Sequence, residues 1–134
     1  MIKLHIGQPG CGKTKTLIER ANNALKSAKG NVVFLDESDE GILELHHDIR
    51  YINISNFPID SSQELVAFLY GLISSNSDIE LMYLDGLLNV YIMTDDEICQ
   101  WLNQIERLSK NHQVAFEISV SRNGEIPECF QAYL

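Results

Sequence analysis

Ile2-Lys3-Leu4-His5-Ile6-Gly7-Gln8-Pro9-Gly10-Cys11-Gly12-Lys13-Thr14-Lys15 is the stretch on which the reading of this chain turns. Its first residues, Ile2 to Ile6, form a short apolar run of strand character. From Lys13 to about Ala28, Leu17, Ile18, Ala21 and Leu25 recur at helical spacing, with Gly30 placed to end the helix. A strand, a glycine-rich loop and a helix in that order can wrap successive backbone N–H groups around an anion at the helix N-terminus. Gly7 and Gly12 supply backbone conformations closed to residues with a Cβ. Lys13 adds a mobile charge for β- and γ-phosphates, and the Thr14 hydroxyl is suited to ligate Mg²⁺. The segment from Gly7 through Gln8, Pro9, Gly10, Cys11 and Gly12 to Lys13, Thr14 and Lys15 is therefore predicted to bind a nucleoside triphosphate.

The same alternation continues outward. Val32-Val33-Phe34-Leu35 is a continuous apolar run, as expected of a strand buried on both faces. Residues 38–48 are acidic and read as a loop or short helix, and Tyr51 to Ile54 reads as a short strand. Ser61 with Glu64 makes a capping box ahead of a helix running to about Ser74, and Ile79 to Leu84 is the next buried strand. Thr94 with Glu97 opens another helix carrying Ile98, Trp101, Leu102, Ile105 and Leu108, and Val114 to Val120 closes the series. Strands alternating with helices predict one domain over 1–134. Its expected fold is an α/β/α three-layer sandwich on a mainly parallel sheet of about five strands.

Composition narrows the function classes. The chain has 134 residues and a net charge of −9. Non-specific nucleic-acid binding requires clustered Lys and Arg to displace counterions, and no such cluster occurs here. The longest uncharged apolar stretch, around Leu65 to Ile73, is far short of the roughly 20 residues of a membrane span. With no secretory leader before the glycine-rich loop, a cytoplasmic location is expected. Cys11, Cys99 and Cys129 are odd in number and widely spaced, which predicts neither a disulfide framework nor a metal site. His46-His47-Asp48 reads as a solvated turn, because adjacent side chains are expected to point apart.

Mg²⁺ requires a carboxylate at the end of a buried strand, and two candidates present themselves. Leu81-Met82-Tyr83-Leu84 leads to Asp85, and Val32-Val33-Phe34-Leu35 leads to Asp36 and Glu37. The strand directly after the first helix is expected on the outside of the sheet, with the later strand beside the loop, which favours Asp85 over Asp36.

The form Gly-Gln-Pro-Gly-Cys-Gly-Lys-Thr at 7–14 resembles that of P-loop NTPases, specifically the RecA-like, additional-strand ATPases. The acidic pair Asp36-Glu37 and the run Asp85-Gly86-Leu87-Leu88 are similar, in that order, to two acidic places of the group. Ser119 and Ser121 are similar in position to its γ-phosphate sensor. The resemblance implies a P-loop NTPase fold that binds ATP with Mg²⁺. It assigns Lys13 to the phosphates, Glu37 as catalytic base, and Ser119 or Ser121 as sensor. It also implies self-association, since such sites are generally completed across subunits. No Glu follows Asp85, which points to slow or partner-dependent hydrolysis.

Two other classes remain open. A small-molecule kinase also uses such a loop, but Arg50, Arg107, Lys110 and Arg122 are scattered rather than gathered in a lid. A nucleotide-binding interaction protein without turnover is the third. Arg122 reads as a surface Arg, with stabilisation of phosphate charge as the alternative. The apolar segment Leu87 to Met93 either packs on the domain or, if exposed, forms a protein-binding patch.

Overall fold

The apolar runs become five parallel strands, seen in a computed structural model that describes residues 1–134. They are β1 (Ile2–Gly7), β2 (Asn31–Asp36), β3 (Arg50–Asn53), β4 (Ile79–Asp85) and β5 (Ala115–Ser121). Between them run α1 (Lys13–Leu25), α2 (Ser62–Ser75) and α3 (Asp95–His112), with single 3₁₀ turns at Ile42–Glu44, Ile54–Asn56 and Leu87–Asn89. A 3₁₀ segment at Glu128–Tyr133 ends the chain. No helix is long and apolar enough to cross a membrane.

Strand order is β1-β5-β4-β2-β3. This corrects the expected arrangement in two respects. The neighbour of β1 is β5, paired from Ile2 opposite Phe116 to Gly7 opposite Ser121, so β4 is one strand further away. The outer strand is β3 rather than β2, because the loop after β2 returns the chain beside it in register Val33 to Arg50. The order therefore sets β2 against β4, with Asp36 opposite Asp85.

The two sheet faces are covered unequally. Leu17, Ile18 and Ala21 of α1 pack on Val32, Phe34 and Tyr83. The other face carries α2, α3 and the C-terminal segment, with Leu65, Leu69, Trp101, Ile105 and Phe130 over Val33, Leu35, Met82 and Leu84. Side chains alternate across a strand, so both residue sets of β2 and β4 are apolar because both faces are covered.

Helix boundaries follow local chemistry. Thr94 and Glu97 form the reciprocal capping box. At α2 only half of the expected box forms: Ser61 Oγ accepts from Glu64 N–H, while the Glu64 carboxylate accepts from Asp60 N–H. The first helix ends at Leu25, before the expected Ala28, and Gly30 is not its cap. Gly30 instead lies against the Asp78 backbone carbonyl, where a Cβ would collide.

The C-terminal return was not anticipated. Residues after β5 fold back along α3, burying Phe130 and bringing Cys129 to Cys99. The two are disulfide-bonded with a Cα–Cα distance of 6.2 Å, overturning the expectation that no disulfide forms. Spacing along the chain carries no sign of such a return.

Glu117 ties α1 to the sheet. Arg20 of α1 grips its carboxylate through Nε and Nη2, and His5 Nε2 lies 2.8 Å from Oε1. Burial raises the Glu117 pKa, but the His5 and Arg20 hydrogen bonds and charges outweigh it and hold the carboxyl at about 2. A depressed folded-state pKa contributes stability above the unfolded value that disappears as pH falls through the folded one. Glu117→Gln is expected to cost about 3 kcal/mol at neutral pH. The difference from wild type should vanish between about pH 5 and pH 2 in urea melts across that range.

Candidate functional site

The C-terminal ends of the strands and the glycine-rich loop surround one cleft of about 1090 Å³. That is at the upper end of the roughly 300–1,000 Å³ of small-molecule sites. Ile18 is the one large aliphatic side chain in its lining, the rest being polar residues, glycines and Pro9.

The loop owes its shape to glycine. Gly10 and Gly12 adopt φ of 81° and 93°, the left-handed region that L side chains avoid. Gly12 is the residue before α1, so its conformation turns the chain into the helix. Gly7 is not in that region; a Cβ there would press on Cys11 Sγ, so the glycine lets that side chain lie against the strand end. Lys13 Nζ folds back over the loop and donates to the carbonyls of Gln8 at 2.8 Å and Gly7 at 3.2 Å. Pro9, Gly10, Gly12, Lys13, Thr14 and Lys15 all line the cleft.

Opposite the loop stand the strand-end acids. Asp36 and Asp85 are 4% and 5% exposed, directly across from each other on β2 and β4. Ser119, also buried, donates to Asp85 Oδ1 at 2.7 Å and accepts from Gly86 N–H at 2.9 Å. Asp36 accepts from Glu37 N–H at 2.7 Å and from the Tyr51 hydroxyl at 3.1 Å. Burial, followed by Asp36 and other nearby carboxylates, pushes the Tyr51 phenol well above its ordinary range, so it remains a donor. The Asp36 carboxyl is raised chiefly by burial, with the Asp85 charge adding to it.

Glu37 leaves the strand end and lies over Gly86, where a Cβ would sit 3.0 Å from Oε1. Burial and the neighbouring charges of Asp36, Asp85 and Glu40 raise its pKa. A carboxylate with raised basicity facing an open cleft can accept a proton from a water bound there.

Asp36 and Asp85 were weighed as competitors, yet the register makes them neighbours in one acidic pair. Two buried carboxylates side by side repel each other unless a cation or a shared proton lies between them. With the Thr14 hydroxyl they are hard oxygen donors lining one cleft, the donor type that suits Mg²⁺.

Ser119 and Ser121 both line the cleft, and Ser119 is engaged with Asp85. Tyr51 and Gly86 escaped the sequence reading. The Asp85-Gly86 pair was a usable turn signal, whereas nothing in the sequence sets Tyr51 against Asp36. Arg122 does not face the cleft as a free cation: its guanidinium grips Asp95 through both carboxylate oxygens, and Nε donates to Glu125 O at 2.6 Å.

His46, His47 and Asp48 form an exposed turn as read, with one departure. Their side chains do not point apart; the two rings stack at 4.3 Å and one donor atom from each residue lies within 4.8 Å of the others. The turn is closed by Asp48 N–H donating to His46 Nδ1, which brings the two rings to one side. All three are exposed.

No family model matches the chain, and no curated protein is significantly similar to it.

Proposed function

We propose that the cleft binds ATP with Mg²⁺ and that the protein is a slow or partner-dependent ATPase of the RecA-like P-loop type. The observation that carries the reading is the convergence on one cleft of loop, Lys13, Thr14, the Asp36–Asp85 pair and Glu37. In this reading the N–H groups of the loop and the α1 N-terminus bind the phosphates, with Lys13 leaving the loop carbonyls to meet them. Thr14 and Asp85, with Asp36 beside them, hold the metal, which neutralises phosphate charge. Glu37 takes the proton of the attacking water, and Ser119 positions Asp85 while Ser121 faces the phosphates. The position of β5 between β1 and β4 suits an additional-strand arrangement.

A reading without autonomous turnover draws on a specific feature. Beyond Lys13 and Lys15 the cleft has no cation, against Glu19, Asp36, Glu37, Glu40, Glu44 and Asp85. Phosphoryl transfer is accelerated by positive charge placed on the developing transition state, and this cleft supplies little of it alone. The same scarcity weighs against a small-molecule kinase.

Calorimetric titration with Mg·ATP and a phosphate-release assay test the proposal together. Wild type should bind Mg·ATP. Glu37→Gln should bind with unchanged affinity while release falls at least about 100-fold. Absence of binding with Mg²⁺ present would sink the proposal. Binding without release from wild type would leave the interaction protein as the function.

A further inference from the structure

The segment after β4 divides its apolar residues. Leu87 and Leu88 are buried, whereas Val90 and Ile92 are 47% and 104% exposed. Tyr91 turns inward between them and donates its hydroxyl to the Ile59 carbonyl at 3.2 Å. That bond joins this segment to the one entering α2, where Phe57 is 44% exposed with its ring 5.1 Å from Phe68. Phe57, Val90 and Ile92 are thus exposed apolar side chains on two joined segments at the C-terminal end of the sheet, whose partly buried Ile59, Phe68 and Tyr91 pack on the core.

The charges around it have one sign. Between Arg50 and Arg107 the chain contains no Lys, Arg or His. Asp60 and Glu64 lie close enough to raise the Tyr91 phenol pKa, after burial, which is the larger cause. Asp96 and Glu97 follow at the start of α3, both exposed. Arg50 begins β3 and Arg107 lies in the last turns of α3, so both are at the far end of their elements. Arg122, which also reaches this end, is occupied by Asp95, and Lys13 and Lys15 of the glycine-rich loop face the cleft.

From this complementarity we infer that Phe57, Val90 and Ile92 are the docking surface for a protein segment bearing an apolar anchor flanked by Lys or Arg. The exposed side chains receive the anchor, and Asp60, Glu64 and Asp96 receive the flanking cations. A second copy of this chain is disfavoured as occupant, because pairing would oppose two acidic rims on molecules of net charge −9. An anionic lipid surface or nucleic acid is repelled by the same rim.

Fluorescence anisotropy of a labelled amphipathic Leu/Lys peptide, titrated with the full chain at near-physiological salt, tests this. An oligo-Lys peptide of equal length is the control. Wild type should bind the Leu/Lys peptide at least about tenfold more tightly than oligo-Lys. Val90→Ser with Ile92→Ser should remove that preference, and Asp60→Asn with Glu64→Gln should weaken binding and flatten its salt dependence. Leu43→Ser, an equally exposed residue on another loop, should change nothing. Equal binding of both peptides, or equal binding by wild type and the Val90/Ile92 variant, would overturn the assignment. So would a wild-type dimer in sedimentation that the same variant returns to monomer.

Discussion

Lys13→Ala is expected to weaken Mg·ATP binding by about 100-fold or more, close to 3 kcal/mol, while leaving the fold intact. Its ammonium is the mobile cation of the loop, and the structure shows it bound only to carbonyls of Gln8 and Gly7 and near Cys11 Sγ. Those loop contacts exchange readily with water, so their loss costs little stability. Phosphate oxygens offer a charge-assisted partner that carbonyls do not. Calorimetric titration measures the affinity, and a thermal melt of the same sample measures the fold. Unchanged affinity would mean that the loop does not use Lys13 for phosphate. A collapsed melt would assign Lys13 a structural role.

Trp101→Ala should produce the largest loss of stability. The indole is 1% exposed in the α2–α3 side of the core, and its Nε1–H donates to the Ser62 carbonyl at 3.2 Å. Truncating such a side chain leaves a cavity and costs roughly 3–5 kcal/mol. For a domain of this length that lowers the melting temperature by roughly 10–18 °C. Trp101→Phe keeps much of the packing and loses the hydrogen bond, so a cost of about 1–2 kcal/mol is expected. Differential scanning calorimetry separates the two terms. Equal losses from both substitutions would show that the hydrogen bond, rather than volume, dominates at this position.

The alternation of elements was legible because the apolar runs are unbroken and the helices are amphipathic. The Thr94 box and the Ser61 cap were readable for the same local reason, since a cap involves residues only three apart. Strand order was not legible. Whether β4 or β5 lies beside β1 depends on which crossover covers which face, and both strands carry enough apolar residues for an interior place. Asp36 and Asp85 were therefore identified individually, but their pairing across Phe34–Tyr83 and Leu35–Leu84 appears only in the register. The disulfide escaped for a related reason: Glu128–Tyr133 has no helical or strand periodicity, and it is Phe130, sunk into the core, that delivers Cys129 to α3. The turn at His46–Asp48 was legible, but the stacking of His46 on His47 within it depends on side-chain geometry that the residue order does not signal.

The order of strands also constrains how the chain is made. β1 pairs with β5 and with no other strand, so the earliest-made strand of this sheet waits for the latest-made one. Until Ala115–Ser121 is available, Ile2 and Leu4 have no neighbour in the sheet, and the glycine-rich loop hangs from an unpaired strand. The partner strand lies more than a hundred residues away, so closure of this pair is a late, entropically costly event. A chain lacking β5 would leave the glycine-rich loop without the strand that seats it beside β4. The cleft between that loop and the ends of β2 and β4 is then among the last parts of the molecule to form, and its appearance reports that the whole sheet has closed.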